Sequence, residues 1–259
     1  MPKSDTYRKY LLKSKRDFFA SHKREQEFID NLAQFGDVAI FGGMLRDFAF
    51  KRFFRSTSDI DIVIDSSEKE RIFNILNTFC YSKNNFGGYR IKNKGIKDFD
   101  VWFLEDTWAF KNKIIKKEPS FDALLDTTFF NIDSILYLIS SNKILKSEKY
   151  FSNLENKCLD ICLEENPNTL SSFVRAIYLS NTLNLKVGRR LFYFLKKEIS
   201  KIDTDTVKEC AQKKYGIYSF FSKNSIENIL NKIDMQPNGS IFYNENILSN
   251  QEELPFYNG

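Results

Sequence analysis

Two neighbouring stretches, Phe41-Gly42-Gly43-Met44-Leu45-Arg46-Asp47 and Ser58-Asp59-Ile60-Asp61-Ile62-Val63-Ile64-Asp65, decide how the chain is read. The glycine pair opens a helix, and a strand then carries two carboxylates two positions apart. Side chains alternate faces along a strand, so Asp59 and Asp61 point one way and Ile60, Ile62 and Ile64 the other. Two neighbouring carboxylates repel unless a cation sits between them. Hard divalent ions such as Mg²⁺ take oxygen ligands and keep substrate phosphate in their shell, with Mn²⁺ as the alternative. Glycine lets backbone approach a phosphate closely, and the helix that follows offers free N–H groups. Arg46 can fork onto phosphate oxygens. Asp47 can hold that fork or bond the loop backbone. Ser58 can bond phosphate or cap the strand.

Outward from this centre, Arg16 to Phe35 predicts one helix with Phe18, Phe19, Phe28, Ile29 and Leu32 inward, ended by Gly36. Asp37 to Phe41 predicts a buried strand, and Met44 to Phe54 a helix with its phenylalanines packed. Ser66, Ser67 and Glu68 open a further helix to about Thr78. Phe86 to Ile91 and Asp98 to Leu104 predict two more strands. In the second, Asp98, Asp100 and Trp102 share a face, with Phe99 and Val101 on the other. A helix is predicted over Ser134 to Leu145. From Tyr150 onward the pattern is helical, including Leu170–Leu179, Val187–Ile199, about Asp205–Tyr215 and Ser225–Ile233, before an irregular tail.

The ordered set of glycine pair and Asp-x-Asp resembles the nucleotidyltransferase superfamily with a polymerase-β-like core, and above all the head domain of class II CCA-adding enzymes and bacterial poly(A) polymerases. Gly42, Gly43, Arg46 and Asp47 match that family's Gly-Gly-x-Val-Arg-Asp segment, with Leu45 in place of valine. Asp59 and Asp61 match its acid pair. The resemblance implies a third acid on a neighbouring strand, at Asp100, with Asp98 as the fallback. It aligns Asn131 with a nucleotide-contacting asparagine, although the family's paired arginines before it are missing. A helix N-cap is the other reading of Asn131. Arg175 matches the first arginine of a neck segment whose second is absent. A Glu-Asp-x-x-Arg segment that selects CTP and ATP in the family is also missing. The implied fold class is α+β, a head with a mixed sheet followed by an α-helical neck and body. The implied domains are a basic arm and helix (1–35), a catalytic domain (36–148), a helical domain (149–235) and a tail (236–259).

The implied chemistry is Mg²⁺-dependent transfer of NMP from an NTP to a hydroxyl, with Asp59, Asp61 and Asp100 as catalytic and metal-binding residues. Gly42, Gly43, Arg46, Asp47, Ser58, Asn131 and Arg175 are the expected nucleotide contacts. The favoured acceptor is an RNA 3′ end, such as that of tRNA. A free-standing transferase of this size also fits a toxin or defence component that modifies tRNA or a protein. Transfer to a small molecule such as an antibiotic, and a silent fold that binds nucleotide or RNA, remain as alternatives. The net charge of +5 is matched by the first 25 residues alone, with eight Lys or Arg against three acids. Arg189, Arg190, Lys196 and Lys197 on a later helix can track a phosphate backbone or simply face solvent.

Composition narrows the class further. The 259 residues hold no apolar run long enough for a transmembrane helix, and the N-terminus lacks the apolar stretch of a secretory signal. A cytoplasmic protein without a membrane partner is expected, and no protein partner is named by the sequence. Cys80, Cys158, Cys162 and Cys210 are thinly spread and accompanied by one histidine, so they read as small buried hydrophobes, with neither a zinc site nor disulfides expected.

Overall fold

In the computed structural model, residues 4–52, 59–84, 86–92 and 95–216 are described. Ser58, Phe53, Phe54, the expected helix Ser225–Ile233 and the tail lie outside them. Residues 1–167 and 168–259 form two compact units.

The first unit is built on a mixed sheet. Its strands are β1 (Asp37–Phe41), β2 (Ile60–Asp65), β3 (Tyr81–Lys83), β4 (Tyr89–Ile91), β5 (Phe99–Phe103), β6 (Ile135–Leu138) and β7 (Lys143–Lys146). They lie in the order β3-β4-β5-β2-β1-β6-β7. Only the β2–β5 pair is parallel among these neighbours. The alternation read from the sequence is realised: Ile60, Ile62, Ile64, Phe99 and Val101 are all fully buried. Burial of such a side chain contributes about 1.5–3 kcal/mol. Phe28 covers this face against Phe99, with ring centroids 4.6 Å apart, and Phe73 meets Phe103 at 5.5 Å.

The helices of this unit begin with α1 (Ser4–Ser21) and α2 (Lys23–Leu32), where a single helix was expected. The break is at His22, whose ring stacks on Phe18 at 4.0 Å and whose backbone leaves the helical region. The basic N-terminal segment is thus mostly helix, anchored by Leu11 and Phe18, both buried. Next come α3 (Gly43–Ala49), which ends before the expected Phe54, and α4 (Lys69–Leu76). Short helices α5 (Trp108–Lys111) and α6 (Phe121–Leu124) precede β6, and α7 (Tyr150–Glu155) follows β7.

The helix expected over Ser134–Leu145 is instead the β6–β7 hairpin. Strand β1 offers β6 a ladder from Ala39↔Leu138 to Phe41↔Leu136, and Asn142 takes the left-handed φ of 53° that the turn needs. Asn142 also accepts from the Tyr137 hydroxyl. Tertiary pairing has overridden a helical pattern over a short apolar run. The cysteines are corrected too: Cys80 is exposed and Cys158, Cys162 and Cys210 are only partly covered, all as free thiols.

In the second unit, α8 (Thr169–Thr182) is capped by the Asn168 side chain, which accepts from Ser171 N. It is followed by α9 (Arg189–Ile199) and α10 (Thr204–Tyr215), with Tyr178 and Tyr215 stacked at 3.8 Å. On α9, Leu191, Phe192, Phe194 and Leu195 are buried, whereas Arg189, Arg190, Lys196 and Lys197 are exposed. Lys201 pairs with Glu198 at 2.9 Å.

A buried ion network fixes α3 against the start of β6. The Arg46 side chain is 5% exposed. Its Nε and Nη2 donate to Asp47 Oδ1 at 3.0 and 2.9 Å, and its Nη1 donates to Asp133 Oδ1 at 2.6 Å. Burial works against this charge, but the two carboxylates outweigh it and hold the guanidinium protonated. Tyr150 is buried beside them. Burial, then the Asp133 charge, pushes its phenol up, and its hydroxyl has no hydrogen-bond partner among the described residues. Removing one partner of a buried pair leaves an uncompensated charge. Asp133→Ala should therefore cost about 3–5 kcal/mol, read from the midpoint shift in urea denaturation.

Candidate active site

The β1 strand ends at Phe41, opposite Asp61 of β2. The chain then turns at Gly42, whose φ of +73° favours glycine. Gly42 N–H donates to Ile135 O at 3.0 Å, while its carbonyl accepts from Leu45 and Arg46 N–H. The N–H groups of Gly43 and Met44, which open α3, have no acceptor within the helix. The loop is tied to the start of β6 through Gly42 and, by Arg46, to Asp133.

The acids come together through register. Asp61 and Asp100 are direct partners across the parallel β2–β5 pair, and Arg90 is the direct partner of Asp100 across β4–β5. All three therefore share a face, and Asp59 joins them by parity with Asp61. Asp100 is 6% exposed. Arg90 lies between two carboxylates. Its Nε donates to Asp100 Oδ1 at 3.0 Å, its Nη2 to Asp59 Oδ2 at 2.5 Å, and Nη2 also pairs with Asp100 Oδ2. Asn84 reaches Asp100 Oδ1 at 3.4 Å.

Arg90 is the residue that sequence reading missed. It was placed on a strand but given no role, because its pairing with Asp100 depends on register that one strand cannot reveal. Arg90 lies between two of the three acids expected to hold a metal. Among the described residues, no three His, Cys, Asp or Glu side chains are grouped so as to hold an ion. The Arg90 guanidinium is paired with both Asp59 and Asp100. The carboxylates offer oxygen donors alone, a set that suits Mg²⁺ or Mn²⁺.

Other expected contacts are placed differently. The Arg46 fork is taken up by Asp47 and Asp133, so both residues serve as loop anchors in this structure. Asn131 is not a helix cap. Its Nδ2 donates to Cys158 O and its Oδ1 accepts from Asp160 N, both at 3.0 Å, which clamps a neighbouring backbone segment. Arg175 is on α8, and Arg189, Arg190, Lys196 and Lys197 are on α9, all in the second unit.

Burial raises the Asp59 pKa above its ordinary value; Arg90 opposes this, while Asp100 and Asp98 add to it. A raised folded-state pKa means that folding favours the protonated form. This group's contribution is present below its unfolded pKa and is lost as pH rises through the folded one. Asp59→Asn should thus be more stable than the parent at neutral pH, with the difference shrinking in acid. Urea titrations at the two pH values check this.

Neither protein-family models nor curated proteins match the chain. Solved structures do. A CCA-adding enzyme in complex with ATP has a TM-score of 0.56 at 14% identity, covering 83% of this chain and 52% of that one. The Thermotoga maritima CCA-adding enzyme complexed with tRNA gives 0.52 at 16%, covering 78% and 47%. An apo form of a CCA-adding enzyme gives 0.53 at 14%, covering 76% and 49%. The chain spans about half the length of these proteins. No helix among the described residues is long and apolar enough to cross a membrane. The chain shares its fold with these CCA-adding enzymes.

Proposed function

We propose that the protein is a divalent-cation-dependent nucleotidyltransferase that moves NMP from an NTP to a hydroxyl, with an RNA 3′ end such as that of tRNA as acceptor. The observation that carries this is the register Asp61↔Asp100, with Asp59 on the same face, at the level where β1 turns into the Gly42 loop. Nothing in the packing of a sheet calls for three acids together, since burying like charges is costly.

Asp59 and Asp61 are the residues that would hold Mg²⁺ with the triphosphate. When bound, the ion supplies Lewis-acid stabilisation of charge on the phosphoryl oxygens. Gly42 and Gly43 shape the loop that seats the β- and γ-phosphates. Asp100 takes the proton of the acceptor hydroxyl as its oxygen attacks the α-phosphorus, and pyrophosphate leaves in line. The exposed basic side of α9 supports an RNA acceptor over a small molecule.

A second reading, nucleotide binding without turnover, is favoured by Arg90's hold on Asp59 and Asp100. Incubation with each α-labelled NTP, Mg²⁺ and total tRNA, other RNA or cell extract separates the two. The expected result is label transfer to RNA with pyrophosphate release, lowered more than about a hundredfold by Asp61→Asn. Release that persists in Asp61→Asn removes the assignment. Arg90 and a divalent ion compete for the same carboxylates, so Arg90→Gln should tighten Mn²⁺ binding measured by calorimetry on the nucleotide-free protein.

A further inference from the structure

The basic N-terminal segment folds into α1, where its residues are sorted by helical period. Tyr7, Leu11, Ser14 and Phe18 recur at helical spacing and are buried. They fix the helix to the α3 segment. Tyr7 meets Phe50 with ring centroids 5.7 Å apart, Phe18 meets Phe48 at 5.6 Å, and Ser14 Oγ donates to Phe48 O at 3.3 Å. The opposite stripe, made of Arg8, Lys9, Leu12, Lys13 and Arg16, is exposed. At the rise of an α-helix its cations span about 12 Å.

This ridge is left positive. Asp17 is shared by Lys13 at 2.7 Å and Arg16 at 3.7 Å, one carboxylate against two cations. Arg8 and Lys9 have no ion-pair partner among the described residues. Lys51, exposed just after α3, sets its Nζ 3.7 Å from the centre of the Tyr10 ring and adds a further cation beside the helix. The stripe has one large apolar residue, Leu12, which is 39% exposed. A helix that lies in a membrane needs its apolar face free, and that face of α1 is already used on α3. A protein interface builds its centre from aromatic residues, and lysine is depleted there. A ridge of charge alone fits a phosphate backbone.

The ridge is separate from the candidate active site. Lys15 Nζ lies 3.8 Å from the centre of the Tyr137 ring. Tyr137 pairs with Ile40, which pairs with Ile62, so the three share one face of the sheet. Asp61 has the other parity. Helix α1 therefore covers the side of the sheet turned away from the acids, and its exposed stripe is turned further still from them.

We infer that the α1 ridge is a docking surface for double-stranded RNA, gripping the phosphates of a folded stem at a distance from any chain end. This goes beyond the transferase reading and stands without it. Single strands are held by stacking bases on open aromatic rings, and the exposed stripe has none. Readout in the DNA major groove uses Asn, Gln and Arg on base edges, and α1 contains neither Asn nor Gln. An A-form stem is recognised by its shape and by phosphate contacts across a wide, shallow minor groove, which a convex row of cations can straddle.

The probe is a fluorescently labelled RNA hairpin with a long paired stem and a 3′-phosphate, so that it lacks a 3′ hydroxyl. Its binding to the full chain is followed by anisotropy. Affinity is expected to fall about a hundredfold between about 50 and 200 mM salt, as for about four released counterions. Arg8→Gln, Lys9→Gln, Lys13→Gln and Arg16→Gln combined should weaken binding at least about tenfold and lower the log–log salt slope by about three. Leu12→Lys, at the centre of the ridge, should tighten binding about threefold, a gain that loss of the fold cannot produce. Absence of hairpin binding, an unchanged affinity in the fourfold variant, no gain in Leu12→Lys, or equal binding of a DNA hairpin of matching sequence would each overturn this surface. Hairpin binding without pyrophosphate release from NTPs keeps the surface and removes the transferase reading. Pyrophosphate release without hairpin binding removes the surface alone.

Discussion

Asp61 and Asp100 face each other on adjacent parallel strands, and most of the first unit can be understood from what it takes to keep them there. Like charges opposite one another in a sheet repel, and Asp100 has little water to screen it. The opposite face supplies the restraint. Ile60, Ile62, Phe99 and Val101 are fully buried, so the register cannot slip by one residue without turning this apolar set to solvent and the acids inward. Packing on one side of the sheet therefore enforces electrostatic strain on the other, and Arg90 relieves it.

The glycine loop is held in a similar way. Its conformation depends on Gly42, but its position depends on Arg46, Asp47 and Asp133, a network sealed from water. A guanidinium held by two carboxylates stiffens the loop. The result is a loop whose backbone is held at the level of Asp61 and linked through Asp133 to the turn just before β6.

Much of this was legible in the sequence, and the division is physical. The parity of Asp59 and Asp61 follows from strand geometry within one segment, as does that of Asp98, Asp100 and Trp102. Glycine at 42 announces a backbone few other residues adopt. What depends on partners was hidden. Arg90 matters because β4 pairs with β5 one way and not another. Asn131 clamps residues 158–160, far along the chain. Ser134 to Leu145 carries apolar residues that suit either period, and only the free side of β1 decides for a strand. His22 interrupts a helix through its own ring on Phe18, an effect that apolar spacing does not register.

The outer strands of the sheet have a consequence for life at high concentration. β3 and β7 end the ladder on its two sides, and unpaired backbone there is a template for adding another chain. β3 is only three residues long and finishes in Lys83; β7 begins with Lys143 and finishes with Lys146. Brevity and ammonium groups at these margins make stacking of one copy on another unfavourable, so the molecule can keep an extended ladder without becoming the seed of a fibre.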